Sequence, residues 1–190
     1  MIKKFVTIFL CILLTIPILP LAYRAIAKDK DNPEIEDDSG DVLFGCIDIL
    51  SAWFYEDPDD TDFLYTAIKV KNLEYKLITT QYAIYWTYNR TIYFSFLSTS
   101  NKGSNSMCFI CDISGNLNHI AGSCDLENDV IALKIPKKLI GNPQPDDVLI
   151  RPYAFSMFSL FGGILAQFGI YFFSDYAPDN RQGKDYIIQY

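Results

Sequence analysis

The clearest alternation of apolar and polar positions lies in residues 81–97, QYAIYWTYNRTIYFSFL. Aromatic and β-branched side chains recur at every second position on both sides of the polar pair Asn89-Arg90. A strand that buries one face requires this period of two, because successive side chains point to opposite faces. The pattern therefore predicts a β-hairpin that turns at Asn89-Arg90 and forms the centre of the fold.

The register of this hairpin depends on the length of its turn. A two-residue turn pairs Trp86 with Tyr93 and places Phe94 on the opposite face. A loop one residue longer pairs Trp86 with Phe94 and brings Phe96 to the same face, which gives a more apolar core face. Turn chemistry favours the shorter turn, because the longer loop would place a threonine in the left-handed conformation. We expect the longer loop on the strength of the burial argument.

Short apolar or alternating segments recur along the rest of the chain, and turn-forming residues separate them. They are residues 44–55, 63–71, 107–113, 117–126, 130–135 and 148–157. Such spacing, with no repeat and no long amphipathic helix, is typical of an all-β protein. We predict an antiparallel β-sandwich, immunoglobulin-like or jelly-roll-like, over residues 42–190, preceded by an N-terminal signal helix.

Residues 153–173 contain no charged side chain. Their number meets the length criterion for a transmembrane helix. The pair Gly162-Gly163 interrupts the stretch, and the residues after it carry acids such as Asp175, so the basic excess of a cytoplasmic flank is missing. We predict two β-strands joined at Gly162-Gly163. The alternative is a C-terminal membrane anchor or an apolar patch for a partner.

The first 27 residues have the organisation of a targeting segment. Lys3-Lys4 precedes an uncharged, mostly apolar run over residues 5–19, and Ala25-Ile26-Ala27 forms a small-x-small site before Lys28. This order predicts a signal peptide that is cleaved before Lys28. The alternative is an uncleaved membrane anchor. Both interpretations place the remaining chain outside the cytoplasm, secreted or at the cell surface.

Length and charge limit the number of domains and the class of partner. A chain of 190 residues suffices for one domain with a full core. Without residues 1–27, 13 basic residues stand against 23 acidic ones, a formal charge of −10. Such an acidic surface repels nucleic acid, so we expect no nucleic-acid partner. Residues 28–41 are acidic and carry one large apolar side chain, which predicts a solvated linker.

The C-terminal third carries segments with a recognisable order of turn formers. In residues 130–154 a strand ends at a proline and a leucine-isoleucine-glycine turn follows; DYAPD at 175–179 and GKDYII at 183–188 come after it. These segments resemble the ends of secreted, mainly archaeal surface β-sandwich modules, similar in architecture to DOMON and family-9-like carbohydrate-binding domains. The resemblance implies a β-sandwich fold and a cell-surface location. It implies no activity, because its motifs are turn formers rather than chemical groups.

Four cysteines follow the targeting segment: Cys46, Cys108, Cys111 and Cys124. An even number outside the cytoplasm predicts disulfides, with three connectivities open. A hairpin with a loop at 115–117 places Cys108 opposite Cys124 and leaves Cys46 for Cys111. On a strand, Cys108 and Cys111 point to opposite faces, so a bond between them is geometrically poor. A redox CxxC pair and a zinc site are the alternatives.

Four aspartates lie close together in one predicted turn. They are Asp57, Asp59, Asp60 and Asp62. Calcium takes several carboxylate oxygens, so this turn is a candidate calcium site. It lacks the glycine and the distal glutamate of an EF-hand loop, and the alternative is a solvated turn.

Aromatic side chains on a sheet can stack on sugar rings. The candidates for such stacking are Trp53, Tyr55, Trp86 and Tyr88. At strand spacing the same side chains can equally form the core. Asn89-Arg90-Thr91 is an N-x-S/T sequon, and its place at the tip of a hairpin makes Asn89 a candidate glycosylation site.

The sequence contains no nucleophile elbow, phosphate-binding loop or metalloprotease helix. We therefore expect no enzyme. The predicted function is that of a secreted or cell-surface, non-catalytic β-sandwich with a binding or structural role in the cell envelope, towards a glycan or a protein. One alternative is a subunit of an extracellular assembly that docks through an apolar C-terminal segment or a strand edge. The other is an extracellular hydrolase.

Overall fold

The computed structural model describes residues 30–73, 79–100, 105–159, 173–179 and 182–190. These form two antiparallel β-sheets packed face to face, and the predicted all-β sandwich is confirmed. The strands are β1 (Ile35–Glu36), β2 (Ile49–Tyr55), β3 (Phe63–Val70), β4 (Thr79–Tyr88), β5 (Thr91–Ser100), β6 (Asn105–Asp112), β7 (Leu117–His119), β8 (Ala121–Asp125), β9 (Val130–Pro136), β10 (Val148–Ser159), β11 (Phe173–Ala177) and β12 (Tyr186–Ile187). A single 3₁₀ turn, Lys137–Ile140, follows β9 and ends at Gly141, whose φ is +86°.

Each sheet combines strands from two separate parts of the chain. The first sheet has the order β1-β2-β3-β9-β8, and the second has the order β11-β10-β4-β5-β6-β7. The short β12 pairs with the start of β10. Because β9 returns to β3 and β10 returns to β4, the chain crosses between the sheets as in Greek-key sandwiches.

The core lies between the sheets and follows the period of two. On the first sheet Phe54 and Leu64 point inward, and on the second Ile84 and Trp86 do so, all almost fully buried. The rings of Phe54 and Trp86 meet edge to face, with centroids 5.5 Å apart. Such aromatic pairs add to the free energy gained from burial.

The turn of the central hairpin has two residues, so the expected longer loop is wrong. Asn89 and Arg90 have φ values of +46° and +63°, and Trp86 lies opposite Tyr93. Positive φ at both positions is the mark of a type I′ turn, whose twist matches that of the flanking strands. The burial argument failed because Phe94 and Phe96 also find apolar neighbours on the outer face of the second sheet.

Both ends of the uncharged stretch 153–173 are β-strands. Phe158 in β10 pairs with Phe173 in β11, and the two strands run antiparallel. This agrees with the prediction of two strands, while Gly162-Gly163 lies outside the described residues. Within the described part of the chain, no helix is long and apolar enough to cross a membrane.

The acidic segment before β2 packs on the sandwich, which corrects the prediction of a solvated linker over residues 28–41. Pro33 and Ile35 are buried, and Ile35 pairs with Ala52 of β2. Glu34 Oε2 accepts a hydrogen bond from the amide of Phe54 at 2.8 Å. Buried apolar residues, strand pairing and a carboxylate thus fix this segment to the edge of the first sheet. The predicted signal peptide, residues 1–27, lies outside the described residues.

Candidate functional site

Three of the four aromatic side chains predicted to stack on sugars are buried. Trp53, Tyr55 and Trp86 are 1%, 5% and 1% exposed. Their ring faces are covered, so they offer no platform, and the prediction is corrected for these residues. Tyr88 is half-buried, and its hydroxyl donates a hydrogen bond to Asp147 Oδ2 at 2.7 Å. This bond raises the pKa of Tyr88 to about 12.

The four aspartates of the predicted calcium turn do not converge on one point among the described residues. Asp60 forms an ion pair with Lys134 and accepts a hydrogen bond from Tyr65, 2.9 Å away. The hydrogen bond from Lys134 lowers the pKa of Asp60. Asp57 Oδ1 accepts the amide of Asp59 at 3.1 Å, as in an Asx turn. These contacts fasten the turn, which also contains Asp62, to the outer face of the first sheet.

The hairpin that was expected to place Cys108 opposite Cys124 does not form. β6 pairs with the short β7, and Cys124 lies in β8 of the other sheet, so Cys108 and Cys124 approach each other across the sandwich edge. Burial raises the pKa of Cys108 to about 12, and the neighbouring Cys124 adds to the effect. The structure contains no disulfide among the described cysteines. A bond between these two stays a prediction.

The other predicted pair is kept apart by the fold. Cys46 packs beside Ile47 and Phe158, before β2, whereas Cys111 lies in β6 opposite Phe94. The hairpin that suggested this pairing by elimination does not exist, so the prediction for Cys46 and Cys111 loses its basis.

Asn89 lies where the sequence predicts it, exposed at the tip of the β4–β5 hairpin. Its glycosylation stays a prediction.

The most unusual surface is the outer face of the second sheet, which the sequence analysis did not single out. Two adjacent rows of side chains run across its strands, and we refer to them together as the aromatic face. One row is Tyr153, Tyr85, Phe94, Cys111 and Leu117; the other is Tyr176, Phe155, Ala83, Phe96, Phe109 and His119. The outer face of an antiparallel sheet is commonly polar, and these rows contain no carboxylate, ammonium or guanidinium group.

The rings of neighbouring strands stack on each other across the aromatic face. Tyr85 and Tyr153 lie with centroids 4.7 Å apart and planes 4° from parallel, and Tyr85 and Phe94 are 5.2 Å apart. In the second row, Phe96 and Phe109 are 5.2 Å apart. Stacked rings cover each other's faces, and Phe96 and Phe109 are only 8% and 1% exposed, so the inner members offer no flat ring face to the exterior.

The ends of the aromatic face, including His119, are more exposed than its middle. Tyr176 and Tyr153 are 55% and 40% exposed, whereas Phe109 is 1% exposed. Ile92, 40% exposed, and Ile113, 63% exposed, extend the apolar surface next to the hairpin turn. Burial raises the pKa of Tyr153, and the nearby Tyr176 adds to the rise.

A single sequence signal could have revealed this surface. In β5 the residues at both parities are apolar, with Tyr93 and Leu97 facing inward and Phe94 and Phe96 facing outward. A strand that is apolar on both faces is normally covered on both sides.

No family model, no curated protein and no solved structure matches this chain. The resemblance of the C-terminal third to DOMON and family-9-like modules therefore stays a prediction.

Proposed function

We propose that the protein is a secreted or cell-surface, non-catalytic β-sandwich that acts as a structural and binding subunit in the cell envelope. Its contact surface is the aromatic face of the second sheet. The observation that carries this proposal is the uncharged character of that face across its strands, in a chain with 21% charged residues. Its accessible part consists of Tyr153 and Tyr176, with Ile92 and Ile113 beside the hairpin turn. Exposed apolar patches of soluble proteins mark interaction sites.

The chemistry of the face favours a protein partner over a sugar. Tyrosine, phenylalanine and methionine are enriched at the centres of protein interfaces, and charged residues are depleted there. Met107 and Met157 pack at the margin of the aromatic face. The rings of Tyr85 and Phe94 are stacked on their neighbours, so few ring faces are available for a pyranose.

The partner we propose is a second copy of this chain. The protein is strongly acidic, so two copies repel each other at most orientations. Contact through an uncharged face keeps the carboxylates of the two copies apart. An isologous dimer also supplies a matching apolar face without any further component.

Sedimentation velocity on the purified full-length protein tests this proposal. We expect a dimer at micromolar concentration, and we expect Tyr153→Lys and Tyr176→Lys each to shift it to monomer, because a buried ammonium without a partner is costly. Tyr190→Lys is the matched control, since Tyr190 is 45% exposed and lies in the C-terminal segment, off the aromatic face. The control variant should remain dimeric.

A glycan array run in parallel separates the two classes of partner. If the wild type is monomeric and binds glycans, and Tyr153→Lys loses this binding, the aromatic face is a carbohydrate-binding site and not a dimer interface. A wild type that is monomeric and binds no glycan on the array would refute the proposed role of this face.

The extracellular location is tested separately. We expect expression of the full chain in a secreting host to release protein whose first residue is Lys28, because the small-x-small site ends at Ala27. Recovery of the chain only from the cytoplasm would overturn this part of the proposal.

A further inference from the structure

Five aspartates gather at one end of the sandwich, where the segment between β1 and β2 meets β11. Asp41, Asp48 and Asp175 each offer a carboxylate oxygen, and these oxygens lie within 4.8 Å of one another. Asp37, Asp41 and Asp179 form a second group by the same measure, so Asp41 belongs to both. We refer to the five residues as the acidic cluster.

The fold fixes the two buried members of the cluster from different sheets. Asp48 lies directly before β2 of the first sheet, in a turn where its amide donates to the carbonyl of Phe44 at 3.2 Å. Asp175 lies in β11 of the second sheet, and its Oδ2 accepts the amide of Ile49 at 2.7 Å. The side chains are therefore 0% and 3% exposed and are held by backbone groups on both sides of the sandwich.

Two carboxylate oxygens of the cluster are buried without a hydrogen-bond donor among the described residues. Asp48 Oδ2 accepts from the amide of Gly40 at 2.9 Å and from Lys71 Nζ at 3.3 Å, but Asp48 Oδ1 has no such donor. Asp37 Oδ2 is in the same situation. Buried carboxylate oxygens are normally paired, because leaving one unpaired costs free energy. The missing partner is therefore a hydrogen-bond donor or a cation that the described residues do not supply.

The excess of negative charge around the acidic cluster also favours a bound cation. Five carboxylates share this end of the sandwich, while the ion pair that Asp48 makes is with Lys71, whose side chain is 48% exposed. A cation placed among these oxygens would remove the repulsion between them.

We propose that the acidic cluster binds calcium, with Asp41, Asp48 and Asp175 as protein ligands. Calcium accepts six to eight oxygen ligands in irregular geometry, which suits carboxylates that come from separate chain segments. Asp37 and Asp179 add two further carboxylates next to Asp41. Because the ligands come from both sheets, the ion joins β11 to the start of β2 at the edge of the sandwich.

Calorimetric titration of the chelator-treated full-length protein tests the site. We expect CaCl2 to bind with measurable heat and to raise the Tm, and MgCl2 to bind more weakly, because magnesium demands a regular octahedron. The Asp41→Asn variant, at an exposed position, should keep the fold and weaken calcium binding at least about tenfold, since affinity follows the number of ligand charges. The Asp48→Asn variant should abolish the rise in Tm.

Two control variants make the result specific. Asp38→Asn changes an exposed neighbour outside the cluster, and Asp59→Asn changes the turn that the sequence indicated. Both should bind calcium like the wild type. Absence of heat and of a Tm shift in the wild type would overturn the proposal. So would binding that survives Asp41→Asn and Asp48→Asn but is lost in Asp59→Asn.

Discussion

Thr66 and Ser95 form a hydrogen bond across the core, from one sheet of the sandwich to the other. Thr66 Oγ1 lies 3.0 Å from Ser95 Oγ, and the two residues are 2% and 0% exposed. Ser95 reaches this position because the hairpin turn at Asn89-Arg90 has two residues, which directs Ser95 inward and Phe94 outward. A turn longer by one residue would place a phenylalanine at the centre of the core instead.

We predict strong coupling between these two hydroxyls. Thr66→Val and Ser95→Ala should each destabilise the protein by about 1–3 kcal/mol, because each leaves the other hydroxyl buried without its partner. The double variant should cost clearly less than the sum of the single variants. Urea unfolding of all four proteins measures the coupling, and additive losses would contradict it.

A buried ion pair fastens the C-terminal segment to the sandwich. Lys137 Nζ lies 2.5 Å from Glu56 Oε1, and both side chains are almost fully buried. Glu56 Oε2 also accepts hydrogen bonds from the hydroxyl of Tyr186 at 3.1 Å and the amide of Gln189 at 2.6 Å. Glu56 thus connects the end of β2 to both the 3₁₀ turn and the last residues of the chain.

We expect Glu56→Gln to lower the free energy of unfolding by about 3–5 kcal/mol, because it removes the buried carboxylate that pairs with Lys137 Nζ and leaves that group with the main-chain oxygen of Tyr190. Lys138→Met is the matched control: Lys138 is adjacent and exposed, so its change should stay within about 0.5 kcal/mol. Chemical denaturation compares the two variants. Equal effects would show that the pair contributes nothing beyond a surface charge.

The turn of the central hairpin should accept a stabilising substitution. Arg90 has a φ of +63°, which costs an L-residue about 1 kcal/mol, and glycine is the usual second residue of a type I′ turn. Arg90→Gly should therefore stabilise the fold by about that amount and leave the sequon at Asn89 intact. Arg90→Ala retains a Cβ and should give no comparable gain. Thermal unfolding of both variants tests whether the positive φ at residue 90 lowers the stability of the wild type: a gain in Arg90→Gly without a similar gain in Arg90→Ala supports this.

Thiol reactivity should differ sharply between the cysteines. Burial raises the pKa of Cys108 to about 12 and that of Cys111 to about 11. A raised thiol pKa keeps the neutral form at pH 8, so iodoacetamide should label Cys108 of the reduced protein about a thousandfold more slowly than in urea. The rate should rise with pH as long as the fold persists.

Half-buried Cys124 serves as the internal reference for this measurement, because its side chain is more accessible than that of Cys108. Mass spectrometry of the labelled peptides resolves the two sites. Equal labelling of Cys108 and Cys124 at pH 8 would contradict the buried position of Cys108.

The sequence by itself determined the strands and the fold class. Alternation with a period of two is a local property, so segments such as 81–97 identify strands without knowledge of their neighbours. The same reasoning separated residues 153–173 into strands, since the glycine pair and the acidic flank are visible in the chain. These features depend on near neighbours in the chain alone.

Only the tertiary structure decided which face of each strand turns inward and which distant residues meet. β5 is apolar at both parities, so burial could not choose between the two registers, and the turn geometry at Asn89-Arg90 chose instead. The meeting of Asp48 with Asp175 required the pairing of β11 with β10 and the packing of the two sheets. Contacts of this kind follow from strand order and sheet packing, which no local pattern encodes.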